Sequence, residues 1–109
     1  MRKIEQQMND AIREGKDWKS GNTQVITLNN MGEDVSFVYL HGNHIAIVGD
    51  NYIRIYDGGW QSNTTKSRLN AILEGNGIPG ERIFQEKFEW KLRMSDGTVI
   101  PFFSGMRLN

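Results

Sequence analysis

A helical repeat of apolar positions opens the chain over residues 2–14. Apolar side chains recur every three or four positions, at Ile4, Met8, Ala11 and Ile12, which is the spacing of one helix face. The other face is predicted to carry Glu5, Gln6, Asn9 and Arg13. Gly15 is expected to end the helix as its C-cap, and Trp18 to anchor the following chain to the core.

Four strands are predicted next, over residues 23–28, 34–40, 44–48 and 52–57, with tight turns at Gly42-Asn43 and Asp50-Asn51. Because side chains alternate along a strand, these turns determine which residues share a face. The more continuously apolar face is expected to form the main core, with Val35, Phe37, Tyr39, Ala46, Val48, Ile53 and Ile55. The other face is mixed and carries Val38, Leu40, Ile45, Ile47, Tyr52, Arg54 and Tyr56.

A second helix is predicted from about Asn63 to Glu74, closed by Gly75 or Gly77. Apolar and polar residues then alternate from Phe84 to Met94, and Asp96-Gly97 is a strong hairpin signal. The returning strand, residues 98–103, contains Pro101, which favours a sheet edge. The sequence therefore predicts one α+β domain over residues 1–109: an antiparallel β-meander of about six strands, an N-terminal helix and one helix inserted after the fourth strand.

Composition narrows the classes of function. The net charge is zero, from 13 basic and 13 acidic residues, which argues against a general nucleic-acid-coating protein but leaves room for a local basic patch. Absence of cysteine excludes disulfides, thiolate metal sites and a cysteine nucleophile. No apolar run reaches the length of a membrane span or of a signal peptide, so a cytoplasmic protein is expected.

The start of the second helix, residues 62–68, is a candidate anion site. A helix N-terminus has free N–H groups and a partial positive charge, which favour acidic residues there. This one instead has Lys66 and Arg68, with hydroxyls on Thr64 and Thr65, a combination that suits a phosphate. The alternative is an ordinary helix start, in which the hydroxyls are caps and the basic residues are solvated.

Tyr52, Arg54 and Tyr56 are predicted to lie on one face of one strand. Aromatic side chains beside an arginine on a sheet can stack nucleic-acid bases. The alternative is that the first helix covers this face and the tyrosines belong to the core.

His41 and His44 flank the predicted Gly42-Asn43 turn, and Asp57 is expected opposite His44. Two imidazoles and a carboxylate could form a metal or acid–base site, but nothing else completes a ligand set. Residues 75–80 match GxGxxG literally, yet they follow a helix rather than a strand, so they read as a cap and loop. We expect no metal, no cofactor and no enzymatic activity.

Two stretches resemble small bacteriophage-encoded proteins of unassigned function. They are Tyr39-Leu40-His41-Gly42-Asn43-His44-Ile45-Ala46 and Gly59-Trp60-Gln61-Ser62-Asn63-Thr64-Thr65-Lys66-Ser67-Arg68-Leu69-Asn70-Ala71-Ile72-Leu73, and the ending from Gly97 to Met106 is also similar. The resemblance implies a phage source, and hence the host cytoplasm, but no mechanism. Its most specific part, Gly-Trp followed by Thr-Thr-Lys-x-Arg, adds Trp60 to the candidate binding residues.

The function expected from the sequence is that of a non-enzymatic phage accessory protein which binds a phosphate-bearing partner, most simply nucleic acid. Two alternatives stay open. One is sequestration of a small nucleotide, such as a host defence signal. The other is docking on a host protein, which would need an exposed apolar patch rather than a phosphate site.

Overall fold

The computed structural model describes residues 1–108. Its two helices are α1 (Lys3–Glu14) and α2 (Asn63–Asn76). The strands are β1 (Trp18–Ser20), β2 (Thr23–Asn30), β3 (Glu33–Leu40), β4 (Asn43–Val48), β5 (Ile53–Ile55), β6 (Arg82–Glu86), β7 (Glu89–Arg93), β8 (Val99–Pro101) and β9 (Met106–Leu108). Neither helix is long and apolar enough to cross a membrane.

The strands form two antiparallel sheets. The larger has six strands in the order β1-β2-β3-β4-β5-β9, and the smaller has three in the order β6-β7-β8. The α+β class, the two helices and a six-stranded antiparallel sheet are therefore as predicted. The strands that make up the six-stranded sheet differ from the predicted ones. The C-terminal strands β6, β7 and β8 form a sheet of their own, and β1 and β9 complete the larger sheet.

The second sheet has three strands rather than two because the predicted strand from Phe84 to Met94 is broken into β6 and β7. Lys87 and Phe88 both adopt positive φ, 51° and 66°, and form the turn between β6 and β7. Residues other than glycine seldom take this conformation, so the sequence carries no turn signal here. As a result Phe88 is 94% exposed instead of facing the core.

The prediction that Val35, Phe37 and Tyr39 face the main core is wrong. Leu40 pairs with Asn43, so the turn is His41-Gly42, one residue earlier than predicted, a change that by itself leaves the predicted faces as they were because both turns have two residues. The reversal comes from a β-bulge: Val38 pairs with Ala46 while Tyr39 pairs with His44, so β4 has one extra residue there and β3 presents its other set of side chains to the core. The core includes the following residues of β3, β4 and β5: Val38, Leu40, Ile45, Ala46, Val48, Ile53 and Ile55.

Two polar residues of α1 were also misplaced. Glu5 and Asn9, predicted on a polar face, are 2% and 4% exposed, because that side of α1 packs on α2. The Asn9 side-chain amide donates to the Ala71 carbonyl at 2.9 Å. Gly75 lies against Asn9 so closely that a Cβ would come within 2.6 Å of its Nδ2, which explains a glycine inside α2. The Gly15 cap is confirmed by its left-handed φ of 65°.

Candidate functional site

One face of the six-stranded sheet carries both helices and the other does not. Arg68 of α2 donates to the Thr23 hydroxyl of β2 and to Glu5 of α1, so both helices lie on the side of Thr23. The opposite side, here called the open face, holds two cross-strand rows of partly exposed side chains. One row is Gln24, Tyr39, His44 and Tyr56, and the other is Ile26, Phe37, Ile47, Arg54 and Arg107.

His44 is the centre of an aromatic cluster on the open face. Its ring centroid lies 4.6 Å from that of Tyr56, 5.4 Å from Tyr39 and 5.8 Å from Phe37. Its Nε2 is 3.0 Å from the Ala46 carbonyl, and since a carbonyl only accepts, Nε2 must carry the proton. Burial lowers the pKa of His44 below its usual range, although the bond to Ala46 opposes that shift. The ring is therefore a neutral stacking surface at pH 7.

A pH prediction follows from the lowered pKa of His44. Between the unfolded pKa, about 6.5, and the lower folded value, the unfolded chain binds more protons than the folded one. The free energy of unfolding is therefore unaffected by the titration of His44 above about pH 6.5, and it falls as the pH drops below that value because the unfolded chain takes up the proton more readily. Thermal melts at pH 7.5 and pH 5.5 should show a smaller decrease in Tm for His44→Gln than for the wild type. Equal decreases in the two proteins would contradict a neutral, partly desolvated His44.

The positive end of the open face is built by β5 and β9. Arg54 lies directly opposite Arg107 in the antiparallel ladder, and like charges in that position repel. The Arg107 guanidinium carbon stands 4.6 Å above the Tyr52 ring centroid, and Arg54 Nη1 donates to the Gly105 carbonyl at 3.3 Å. Neither arginine forms an ion pair with a carboxylate of residues 1–108. Neither cross-strand row contains a carboxylate, so this end attracts anions.

Tyr52, Arg54 and Tyr56 thus share a face, as the sequence predicts, and α1 does not cover it. Sequence reasoning missed four partners on the same face. Phe37, Tyr39 and His44 were missed because the β-bulge that reverses the pairing of β3 with β4 has no signal in the sequence. Arg107 could not have been found, because residues 106–108 show no strand signal.

The start of α2 is capped in an ordinary way. The Ser62 hydroxyl accepts the Thr65 N–H at 3.0 Å, and the two hydroxyls are 2.9 Å apart. The first turn contains no acidic residue. A cleft of about 380 Å³ opens beside this helix start. Its lining is formed by Leu40, His41, Asn43, Ile45, Asp57, Gly58, Trp60, Ser62, Thr64 and Thr65.

The two cations predicted for the anion site do not stand at this cleft. Arg68 is 3% exposed, and its Nη1 donates to Glu5 Oε2 at 2.8 Å. Lys66 lines a separate cleft that also contains Glu5 and Glu74. The expectation that Arg68 is a free cation at the helix start is therefore wrong. Its charge compensates a buried carboxylate instead.

His41, His44 and Asp57 do not form one site. His44 turns to the open face, whereas His41 and Asp57 line the cleft. Asp57 Oδ1 accepts the Gly59 N–H at 2.8 Å, which closes a turn. In the part of the chain that the structure describes, no three histidine, aspartate or glutamate side chains lie close enough to hold a metal ion.

Comparisons with known proteins place the chain in a family. The model of a family described as "Kyanoviridae Gp96 protein" matches residues 1–109. Neither the curated proteins nor the solved structures contain a significant match. This match supports the phage origin that the sequence resemblance implied. With the whole of its length covered by the family model, the chain belongs to the Kyanoviridae Gp96 family of bacteriophage proteins.

Proposed function

We propose that this phage protein binds single-stranded nucleic acid on the open face of its six-stranded sheet, as a non-enzymatic accessory protein. The observation that supports the proposal most strongly is the cross-strand pair Arg54 and Arg107, adjacent to the aromatic row. Two guanidinium groups facing each other cost stability unless an anion lies between or above them. Guanidinium groups bind phosphate through paired hydrogen bonds.

The aromatic row supplies the second half of such an interface. Bases of an unpaired strand stack on exposed aromatic rings without sequence preference. Tyr39 of β3, His44 of β4 and Tyr56, the residue after β5, form a continuous strip, and His44 takes part as a neutral ring. Because the net charge of the chain is zero, the attraction of the strand is local to the end with Arg54 and Arg107. A duplex, whose bases are already stacked, would gain only the phosphate contacts.

The test is binding of a fluorescent single-stranded oligonucleotide, as DNA and as RNA, over a series of salt concentrations. Replacing Arg54 or Arg107 by alanine should weaken binding and reduce the slope of log K against log salt by about 0.7 each, the value for one phosphate contact on a single strand. Arg13→Ala is the matched control, because Arg13 is an exposed arginine on α1, away from the open face. It should leave both affinity and slope unchanged.

Tyr56→Ala separates stacking from charge. This variant should lose about 1–3 kcal/mol of binding free energy with no change of salt slope, since no cation is removed. Tyr56→Phe should bind like the wild type. If no oligonucleotide binds at low salt, or if Arg13→Ala weakens binding as much as Arg54→Ala does, the open face is not a nucleic-acid interface.

Docking on a host protein is a second candidate, which the other half of the open face favours. Ile26, Val35, Phe37 and Ile47 lie there as a partly exposed apolar group, with Leu28, 55% exposed, at its margin. Contiguous apolar surface of this kind is typical of protein interfaces. Absence of oligonucleotide binding, together with loss of a captured host protein in the variant Leu28→Asp but not in Arg54→Ala, would decide for docking.

A further inference from the structure

The cleft beside α2 is separate from the open face and has the composition of a small-ligand site. Its volume of about 380 Å³ falls within the range of about 300–1,000 Å³ that is usual for such sites. Leu40 and Ile45, 4% and 1% exposed, give it an apolar floor. Polar side chains from β4, the loop after β5 and the start of α2 converge on it, as expected for a site that orients its ligand.

Trp60 forms the rim of the cleft. Its side chain is 74% exposed. The backbone before it turns sharply at Gly58 and Gly59, whose φ values are 69° and 86°. A Cβ on Gly58 would approach Ile45 Cγ2 to 3.3 Å, so the glycine keeps the wall close to the floor. An exposed indole above an apolar floor provides a flat surface for a planar ring.

The negative charge of the cleft argues against a phosphate as its main ligand. Asp57 is the only acidic residue in the lining, and neither lysine nor arginine is part of it. Both Asp57 oxygens already accept one hydrogen bond, from the Gly59 N–H at 2.8 Å and from Gln61 Nε2 at 3.3 Å. A carboxylate has about four acceptor positions, so it can still accept from a ligand N–H. Asn43 and Thr64 can each donate as well as accept.

We propose that this cleft binds a nucleobase that has an exocyclic amino group, as in adenine, cytosine or guanine. The ring would stack on Trp60, and the amino group would donate to Asp57. A base offers acceptors as well as donors and can therefore use both capacities of Asn43 and Thr64, whereas the guanidinium group of an arginine only donates and can use only their acceptor atoms. The proposal does not depend on nucleic-acid binding at the open face.

The test is titration of the ¹⁵N-labelled protein with adenosine, cytidine, uridine and thymidine, followed by NMR. The Trp60 indole N–H, identified by its absence in Trp60→Phe, should shift with adenosine and cytidine. Uridine and thymidine, which lack the amino group, should bind about 10-fold more weakly, as expected for one lost hydrogen bond to a charged group. Asp57→Asn keeps an acceptor for the Gly59 N–H and should remove this preference. Trp60→Ala should abolish the shifts of the cleft residues.

Three results would overturn the proposal: no shift with any nucleoside at millimolar concentration, equal binding of all four nucleosides, or tighter binding of L-arginine amide than of adenosine. The last result would assign the cleft to a protein side chain. Arg54→Ala should leave the adenosine titration unchanged, and Trp60→Ala should leave oligonucleotide binding at the open face unchanged. Failure of one proposal is therefore distinguishable from failure of the other.

Discussion

Replacing Arg68 by methionine should lower the free energy of unfolding by about 3–5 kcal/mol, the usual cost of removing one partner of a buried ion pair. Glu5 and Arg68 are 2% and 3% exposed, and Arg68 Nε also donates to the Thr23 hydroxyl at 3.0 Å. Without the guanidinium, the Glu5 carboxylate would be left in the core with only the Ser67 hydroxyl, at 2.6 Å, and the Arg2 N–H, at 3.1 Å.

A double-mutant cycle tests whether the cost comes from the pair. Glu5→Leu combined with Arg68→Met removes both charges, so the double variant should be more stable than the sum of the single effects predicts, by about 1–3 kcal/mol. Lys66→Met, two positions before Arg68 in α2, is the matched control and should change stability by less than about 0.5 kcal/mol. Additive effects of the two single variants in urea melts would show that Glu5 and Arg68 do not stabilise each other.

The same pair has a consequence at acidic pH. Burial raises the pKa of Glu5, but hydrogen bonds from Ser67, the Arg2 backbone and Arg68, together with the Arg68 charge, outweigh burial and hold that pKa below its ordinary value. Stability from this lowered pKa is present above the unfolded value, about 4.3, and is lost as the pH falls through the folded one. The loss begins below about pH 4.3 for Glu5 and below about pH 6.5 for His44, so the two contributions differ in where they begin in a pH series.

Trp90→Ala should also cost about 3–5 kcal/mol, the range for emptying a buried aromatic site. Trp90 is 4% exposed, and its ring meets Phe102 edge-on, with centroids 5.2 Å apart and planes at 71°. Since a small domain has only about 5–15 kcal/mol of total stability, the variant should be marginally folded at 25 °C.

Phe88→Ala is the control on the same hairpin. Phe88 is 94% exposed, so its truncation should change the free energy of unfolding by less than about 0.5 kcal/mol. Urea melts of both variants make the comparison. A Trp90→Ala midpoint equal to that of the wild type would mean that β7 does not contribute to the hydrophobic core.

Part of the candidate site could be derived from the sequence. Alternation along one strand places Tyr52, Arg54 and Tyr56 on one face whatever the rest of the fold does, because the period of a strand is a local property. The residues that lie beside these three on neighbouring strands could not be predicted from the sequence with the same reliability. The β-bulge at Val38 and Tyr39 adds one residue to β4, and this slip puts Phe37 and Tyr39 on the face opposite to the predicted one, since every residue of β3 changes side together.

The sequence by itself determined the α+β class, both helices with the Gly15 cap, and the four central strands of the larger sheet. These depend on spacing, caps and turn residues within a few positions of one another. Only the tertiary structure decided the pairing of Glu5 with Arg68, 63 positions apart, and of Arg54 with Arg107 across β5 and β9. Both pairs bring like or opposite charges together through packing of distant segments. No local pattern of residues can therefore show whether such a pair attracts or repels. The pairing distinguishes Arg68, which is buried beside a carboxylate, from Arg54 and Arg107, which face each other on the open face.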